Sequence, residues 1–209
     1  GIVSQWIPLH SQTETHIYEH FRTFLESFQY VISWYPTKQE LILIGSNDPI
    51  NVDFKKIDNR LKHPVTNEVM RKIRFENPFA LLGSIWFLKE ELKIMSSNQK
   101  MITDNNPSLE FFLTSPDPIS RENIYKFIKN RSPFDKVSTK INNLSYPNQK
   151  ILKSFWDQRI NAEFAGDIFE LGIKFLNMGD ARQAIKKLKE AVKLDPNFSL
   201  ALYFLGDAF

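Results

Sequence analysis

His16 and His20 stand four residues apart with Glu19 between them, giving the pattern H-x-x-E-H. On a helix this spacing sets two imidazoles on one face, where they could share a zinc ion beside a carboxylate base. Glu90 or Glu91 would be a distant third ligand. The surrounding residues argue against such a hydrolase. Ile17, Phe21, Phe24, Leu25 and Phe28 form one apolar stripe at helical spacing, which defines the inward face. Glu19 falls nearly opposite that stripe and is expected in solvent. No metal is expected here, and His10 and His63 read as loop residues.

Other chemistries lack their parts. With no Cys there is no thiolate ligand, thiol nucleophile or disulfide. The seven Gly, at 1, 45, 83, 166, 172, 179 and 206, are too scattered to build a phosphate-cradling loop. Net charge is +3 over 209 residues, with Lys and Arg spread along the chain. The runs Arg71-Lys72-Ile73-Arg74 and Lys186-Lys187-Leu188-Lys189 sit in helical patterns and read as solvated faces, so no nucleic-acid partner is expected. The longest apolar run, Phe79 to Leu88, is too short to span a bilayer and reads as a buried helix. A cytoplasmic protein is the expectation.

The elements that would position any site fall into two regions. In the C-terminal one, Leu171-Gly172 recurs as Leu205-Gly206 and Phe175 recurs as Phe209, each 34 residues on. With Ala165 as first position, Leu171, Gly172, Phe175, Gly179, Ala184, Ala191 and Pro196 fall on the markers of the tetratricopeptide repeat, which this stretch resembles. Ile168 and Leu188 stand where aromatics are commoner and stay apolar. Small residues at 172, 184 and 191 let two helices approach closely. Asn177-Met178-Gly179-Asp180 reads as a helix stop and restart, and Leu194-Asp195-Pro196 ends the second helix. The resemblance implies a protein or peptide partner on a concave surface bearing Phe169, Ile173 and Asn177. These residues lack the Lys/Asn pattern that grips a C-terminal carboxylate, and they could equally pack against the next repeat.

In the N-terminal region, Ile2 to Trp6 reads as the end of a strand entering a loop closed by Pro8. A helix follows, with capping-box spacing at Ser11-Gln12-Thr13-Glu14. Tyr30 to Tyr35 and Leu41 to Ser46 read as a strand hairpin about the turn Pro36 to Glu40. Gly-Ile-Val-Ser-Gln-Trp-Ile-Pro-Leu, the Phe21-Arg22-Thr23-Phe24 helix, Trp34-Tyr35 and Leu-Ile-Leu-Ile-Gly-Ser resemble the spermidine synthase-like proteins, as does the stretch from Ile102 to Phe111. The resemblance covers about residues 1 to 113. It is to the bacterial branch whose aminopropyltransferase-like domain is often fused to membrane-spanning segments.

That resemblance implies a Rossmann-like doubly wound sheet that takes decarboxylated S-adenosylmethionine at the carboxyl ends of its early strands. Neither those strands nor the family's acidic catalytic residue has a counterpart here, so no cofactor and no catalytic residue are assigned to this chain. What would remain is one wall of a substrate pocket: Gln5 and Trp6, just past a strand's carboxyl end, and Asp104, facing a polyamine amine. Trp6 as core, Gln5 as a loop hydrogen-bonder and Asp104 as a brace of the Asn105-Asn106-Pro107 turn are the alternatives.

The middle completes the organisation. Residues 49–75 hold one or two short amphipathic helices, with Ile57 and Leu61 on one and Val65, Val69 and Ile73 on another; Asn77-Pro78 restarts a helix to about Met95. Ser115-Pro116-Asp117-Pro118 is the domain boundary, 120–130 a helix, 131–147 a polar linker and 150–160 a helix that fails the 34-residue template but could pack against the repeat. The expected architecture is a partial Rossmann-like α/β domain (1–115), a helical linker region (116–163) and an all-α tetratricopeptide region (164–209). With Gly1 against a strand and Phe209 inside a repeat, the chain reads as a piece of a longer protein, whose anchoring at the inner face of a membrane stays open. It is either part of an aminopropyltransferase-like protein with an interaction module, inactive as it stands, or a non-enzymatic scaffold with a degenerate Rossmann-like domain. The sheet is expected to expose one apolar face.

Overall fold

The computed structural model describes residues 1–9, 12–37, 40–105, 107 and 130–207. His10, Ser11, Asn106, the 115–118 boundary, most of the 120–130 helix and Phe209 therefore lie outside the described residues, as do all four residues from Ser108 to Phe111. The chain divides into two units, Gly1–Lys153 and Ser154–Phe209.

The first unit is mixed α/β. Its main sheet has the order β1-β3-β2-β5, with β1 Ile2–Pro8, β2 Tyr30–Thr37, β3 Glu40–Ser46 and β5 Ile85–Leu88, and every neighbouring pair is antiparallel. Helix α1 (Glu14–Ser27) links β1 to β2, which run in the same direction with β3 folded back between them. Thr13 caps α1 by accepting from His16 N at 3.3 Å. The helix lays its stripe on one sheet face, where Leu41, Leu43, Val31 and Tyr35 alternate inward and Ile17, Phe21 and Phe24 are buried. A methyl on Gly45 would collide with Phe24 and Phe28 at 2.6 Å, so glycine is what lets α1 lie so close.

On the opposite face Trp6 pairs with Ile42 and Ile42 with Trp34, while Ser4, Ile44 and Ile32 form the next row. Trp34 is covered: its Nε1 donates to Leu81 O at 2.8 Å and its ring packs on Phe75. Towards β1 the cover ends, and Ile2 and Trp6 are 70% and 55% exposed. Among the described residues no strand pairs with the outer edge of β1.

Several middle elements differ from expectation. The run read as one helix from Pro78 to Met95 is α4 (Pro78–Leu82), strand β5 and α5 (Lys89–Ser96). All four residues of β5 are buried, and Tyr35 stacks on Trp86 at 4.2 Å. Its pairing with β2 is irregular, and serine hydroxyls take up the slack: Ser33 Oγ accepts from Phe87 N at 2.9 Å and Ser132 Oγ from Leu88 N at 2.8 Å. The segment read as a polar linker instead contains α6 (Phe134–Ser138) and β6 (Ile141–Asn142), with Ser132, Phe134, Val137 and Ile141 buried. Strand β6 pairs in parallel with β4 (Val52–Asp53). Asp53 caps α2 (Phe54–Leu61) through Lys56 N and accepts from Asn143 Nδ2 at 2.7 Å. Helix α3 (Pro64–Lys72) follows and buries no residue.

The expected helix at 150–160 is the first part of a longer one. Helix α7 runs unbroken from Tyr146 to Asn177, and the division between the units falls inside it. No Gly or Pro lies between Pro147 and Gly166 to stop it. In the second unit α7 ends at Gly179, whose φ of +77° is the left-handed conformation of a helix C-cap. Asp180 then caps α8 (Ala181–Leu194) by accepting from Gln183 N at 3.1 Å. The last helix is α9 (Ser199–Asp207). Ala165, Ala191 and Ala201 meet at the centre, with Ile168, Phe169, Val192, Leu194 and Phe198 packed around them.

Candidate functional site

Gln5 and Trp6 lie within β1 rather than beyond its end. Strand alternation therefore sends them to opposite faces of the sheet. Gln5 sits on the α1 side, its Nε2 3.3 Å from His20 Nδ1. Trp6 stands on the other side beside Ile42. Asp104 is exposed in a turn beyond α5; that segment is tied to α1 where Ile102 N donates to Thr23 Oγ1 at 2.8 Å. The structure does not bring Gln5 and Trp6 onto one pocket wall. The amino-acceptor and sulfonium chemistry of decarboxylated S-adenosylmethionine needs both partners held in one place, and these three residues do not provide that.

The histidine pair takes an unexpected position. Glu19 is buried, not solvent-facing, and so is His20 beside it, while His16 is half-buried. Burial, with a smaller push from the charge of His16, lowers His20 to about 4. Its neutral imidazole is thus the form that suits the interface between α1 and β1. Among the described residues no three His, Cys, Asp or Glu side chains are grouped to hold a metal ion. On the same helix Tyr18 donates to Glu14 Oε1 at 2.7 Å; burial, then Glu14, pushes the phenol above its usual range.

Two polar clusters escape a reading of the sequence because their members are remote from one another. Glu91 accepts from Ser132 Oγ and from Lys136 Nζ, the latter at 3.0 Å. Burial is the largest single influence and would raise its carboxyl, but the Ser132 and Lys136 donors, with its own backbone N–H and the Lys136 charge, together hold it below the usual range. The second cluster is Asp53 with Lys56 N and Asn143, where the backbone bond from Lys56 leads in lowering the carboxyl. Both act as fasteners: one joins α5 to the start of α6, the other joins β4 to the turn after β6. A cleft of about 220 Å³ opens where β2 begins and β5 ends, lined by Ile32, Ile50, Val52 and Leu88, with Lys89 and Lys140 among its polar residues. Lys89 is committed, since its Nζ donates to Phe28 O and Gln29 O.

In the second unit the three residues assigned to partner contact divide. The ring of Phe169 lies 5.0 Å from Phe198 and 5.8 Å from Phe204, so α9 of the same chain packs on it. Ile173 is half-buried and Asn177 exposed. The contact that sets this hairpin is Gly172 on Leu188: a methyl there would lie 3.1 Å from Leu188 Cγ and Cδ2. Ala184 and Ala191, also on α8, are fully buried. Comparison of the chain with protein-family models, with curated proteins and with solved structures finds no match.

Proposed function

We propose that the chain is a protein-recognition module: a tetratricopeptide-type helical array carried beside part of a spermidine synthase-like sheet. One observation carries this reading. Gly172 on α7 meets Leu188 on α8 so closely that an added methyl would lie 3.1 Å from the leucine side chain, which would have to give way, and the glycine recurs 34 residues later as Gly206. A mid-helix glycine costs about 1 kcal/mol relative to alanine, so its presence calls for a packing reason, and close stacking of repeat helices supplies one. The recognition surface on this reading is the part of the α7 face that bears half-buried Ile173 and exposed Asn177, next to Phe169, on which α9 packs. The sheet supports the other half of the proposal, because β1-α1-β2 is a strand–helix–strand unit joining two strands of one direction.

In this reading the chain performs no aminopropyl transfer. The separation of Gln5 from Trp6 across the sheet also favours a second reading, a non-enzymatic scaffold whose Rossmann-like part is degenerate. The test is selection of peptides from a displayed library against the whole chain. Selected peptides should lose at least about tenfold in affinity with Ile173→Lys and Asn177→Lys, the loss typical of an interface hot spot. Peptides that bind both variants as well as wild type would sink the recognition surface. Binding of decarboxylated S-adenosylmethionine by calorimetry would sink the claim of inactivity.

A further inference from the structure

Helices α2 and α3 hold most of the net charge of the chain. Lys55, Lys56, Arg60 and Lys62 come from the first helix and its end, and Arg71 and Lys72 from the second, with Arg74 just beyond its C-cap. Against these seven stand Asp58, Glu68 and Glu76, so the stretch 54–76 carries net +4 in a chain of net +3. All seven cations are exposed. Asp58 and Glu68 are occupied by Lys62 and Lys72 at 2.6 and 3.2 Å, which leaves Lys55, Lys56, Arg60, Arg71 and Arg74 against Glu76 alone.

The same helices expose an apolar ridge. Val65, Val69 and Ile73 follow one another at four-residue spacing on α3 and its C-cap, and are 67%, 54% and 54% exposed. At that spacing their side chains share one face. An aliphatic ridge turned outward gains nothing in water, and a soluble helix of this length ordinarily turns such a ridge to the core. On the same helix Lys72 falls beside the ridge, and Arg71 lies toward the far side. Phosphate backbones of nucleic acid would attract the cations but give the ridge no apolar surface to bury. The headgroup layer of an anionic bilayer satisfies both: cations pair with lipid phosphates while short aliphatic side chains enter the acyl boundary.

We infer that the α2–α3 hairpin is a peripheral docking surface for an anionic lipid bilayer, with Val65, Val69 and Ile73 as the inserted ridge. This surface is separate from the recognition face proposed on α7 and stands whether or not that reading holds.

The experiment is co-sedimentation of the whole chain with vesicles of phosphatidylcholine alone or mixed with phosphatidylglycerol, at low and at raised salt. Binding should require the anionic lipid and weaken with salt. Arg71→Glu with Arg74→Glu should reduce partitioning by more than about tenfold, from the usual contribution of each cation near an anionic surface. The triple variant Val65→Ser, Val69→Ser, Ile73→Ser keeps every charge, alters only exposed side chains and should also bind vesicles more weakly while its far-UV circular dichroism is unchanged. The inference is overturned if vesicles of either composition bind equally, if none bind at low salt, or if the serine variant keeps wild-type vesicle binding. Tighter binding to duplex nucleic acid than to anionic vesicles, retained in the serine variant, would also overturn it and assign the charge to nucleic acid.

Discussion

A methyl group on Gly45 would sit 2.6 Å from Phe24 Cε1 and Phe28 Cγ, two rings already packed 4.7 Å apart. Neither ring can withdraw without lifting α1 from β3, so Gly45→Ala should destabilise the first unit by about 1–3 kcal/mol, the usual cost of overpacking. Gly206 is the control: nothing lies within 4 Å of its added methyl and it sits inside α9. Gly206→Ala should be neutral or stabilise by up to about 1 kcal/mol, and urea unfolding of the two variants separates the cases. His20 gives a pH dependence of definite sign. Its folded value of about 4 lies below the ordinary value of 6.5 because burial disfavours the cation, with His16 adding to the effect. The neutral ring therefore contributes its full stability above about pH 6.5, and that contribution is lost as pH falls toward 4, amounting at the limit to roughly 3 kcal/mol. Unfolding free energies of wild type and His20→Gln, measured from pH 7 to 4, should converge on acidification; parallel curves would refute the assignment. The helical wheel of α1 foretold the burial of Ile17, Phe21, Phe24 and Leu25 but placed Glu19 in solvent. A wheel knows one covering surface, whereas Glu19 is buried although it lies nearly opposite that stripe, and His20 is buried on its flank.

The turn between α7 and α8 was legible in the sequence because it is local. Asn-Met-Gly-Asp encodes a left-handed C-cap and an N-cap in consecutive residues, and the structure has both, with Gly179 N–H donating to Leu176 O and Asp180 N–H to Phe175 O, each at 2.9 Å. Gly179→Ala forces a side chain into φ +77° and should cost roughly 1–2 kcal/mol. Asp180→Ala removes the acceptor for Gln183 N and should cost about 1 kcal/mol. Thermal unfolding followed at 222 nm measures both, and an unchanged melting temperature for either would remove that cap from the account. Strands β2 and β3 were legible for a similar reason, since alternation and β-branched content act within a few residues. The hidden elements depend on distant partners. Phe79–Leu88 is an apolar run whose period cannot separate helix from strand; the Gly83-Ser84 break and the pairing of Ile85 and Leu88 with β2 decide it. Residues 131–147 look polar, yet Ser132 is buried because Trp86 O and Leu88 N need its groups. For the candidate site, the residue types at 5, 6 and 104 were readable, but their faces depend on where β1 ends, and strand ends are what sequence specifies least.

At the scale of the whole molecule the two units differ in what they bury. The first encloses Trp86, Tyr35, Phe21, Phe87, Ile7, Ile17, Leu41, Leu43 and Leu92 almost completely. Among the described residues of the second, Trp156, Ile160 and Leu188 apart, the enclosed apolar side chains are alanines at 165, 184, 191 and 201. Stabilisation scales with apolar area removed from water, at about 25 cal/mol per Å², and an alanine contributes a small fraction of what a tryptophan or phenylalanine does. The helical unit should therefore open at a lower denaturant concentration than the sheet unit, and unfolding should not be two-state. Different probes resolve the steps. Ellipticity at 222 nm should fall early, as α8 and α9 and the second part of α7 unwind. Fluorescence in a Trp6→Phe, Trp156→Phe background reports Trp34 and Trp86, both in the first unit, and should change only in the later step. Adding Leu188→Ala should widen the gap by moving the early step to lower denaturant, by an amount that reflects the 2–5 kcal/mol of a buried leucine truncation, with the late step unmoved. Coincident transitions by both probes, or a Leu188→Ala effect shared equally by the two steps, would mean that the continuous helix α7 makes the units fold as one.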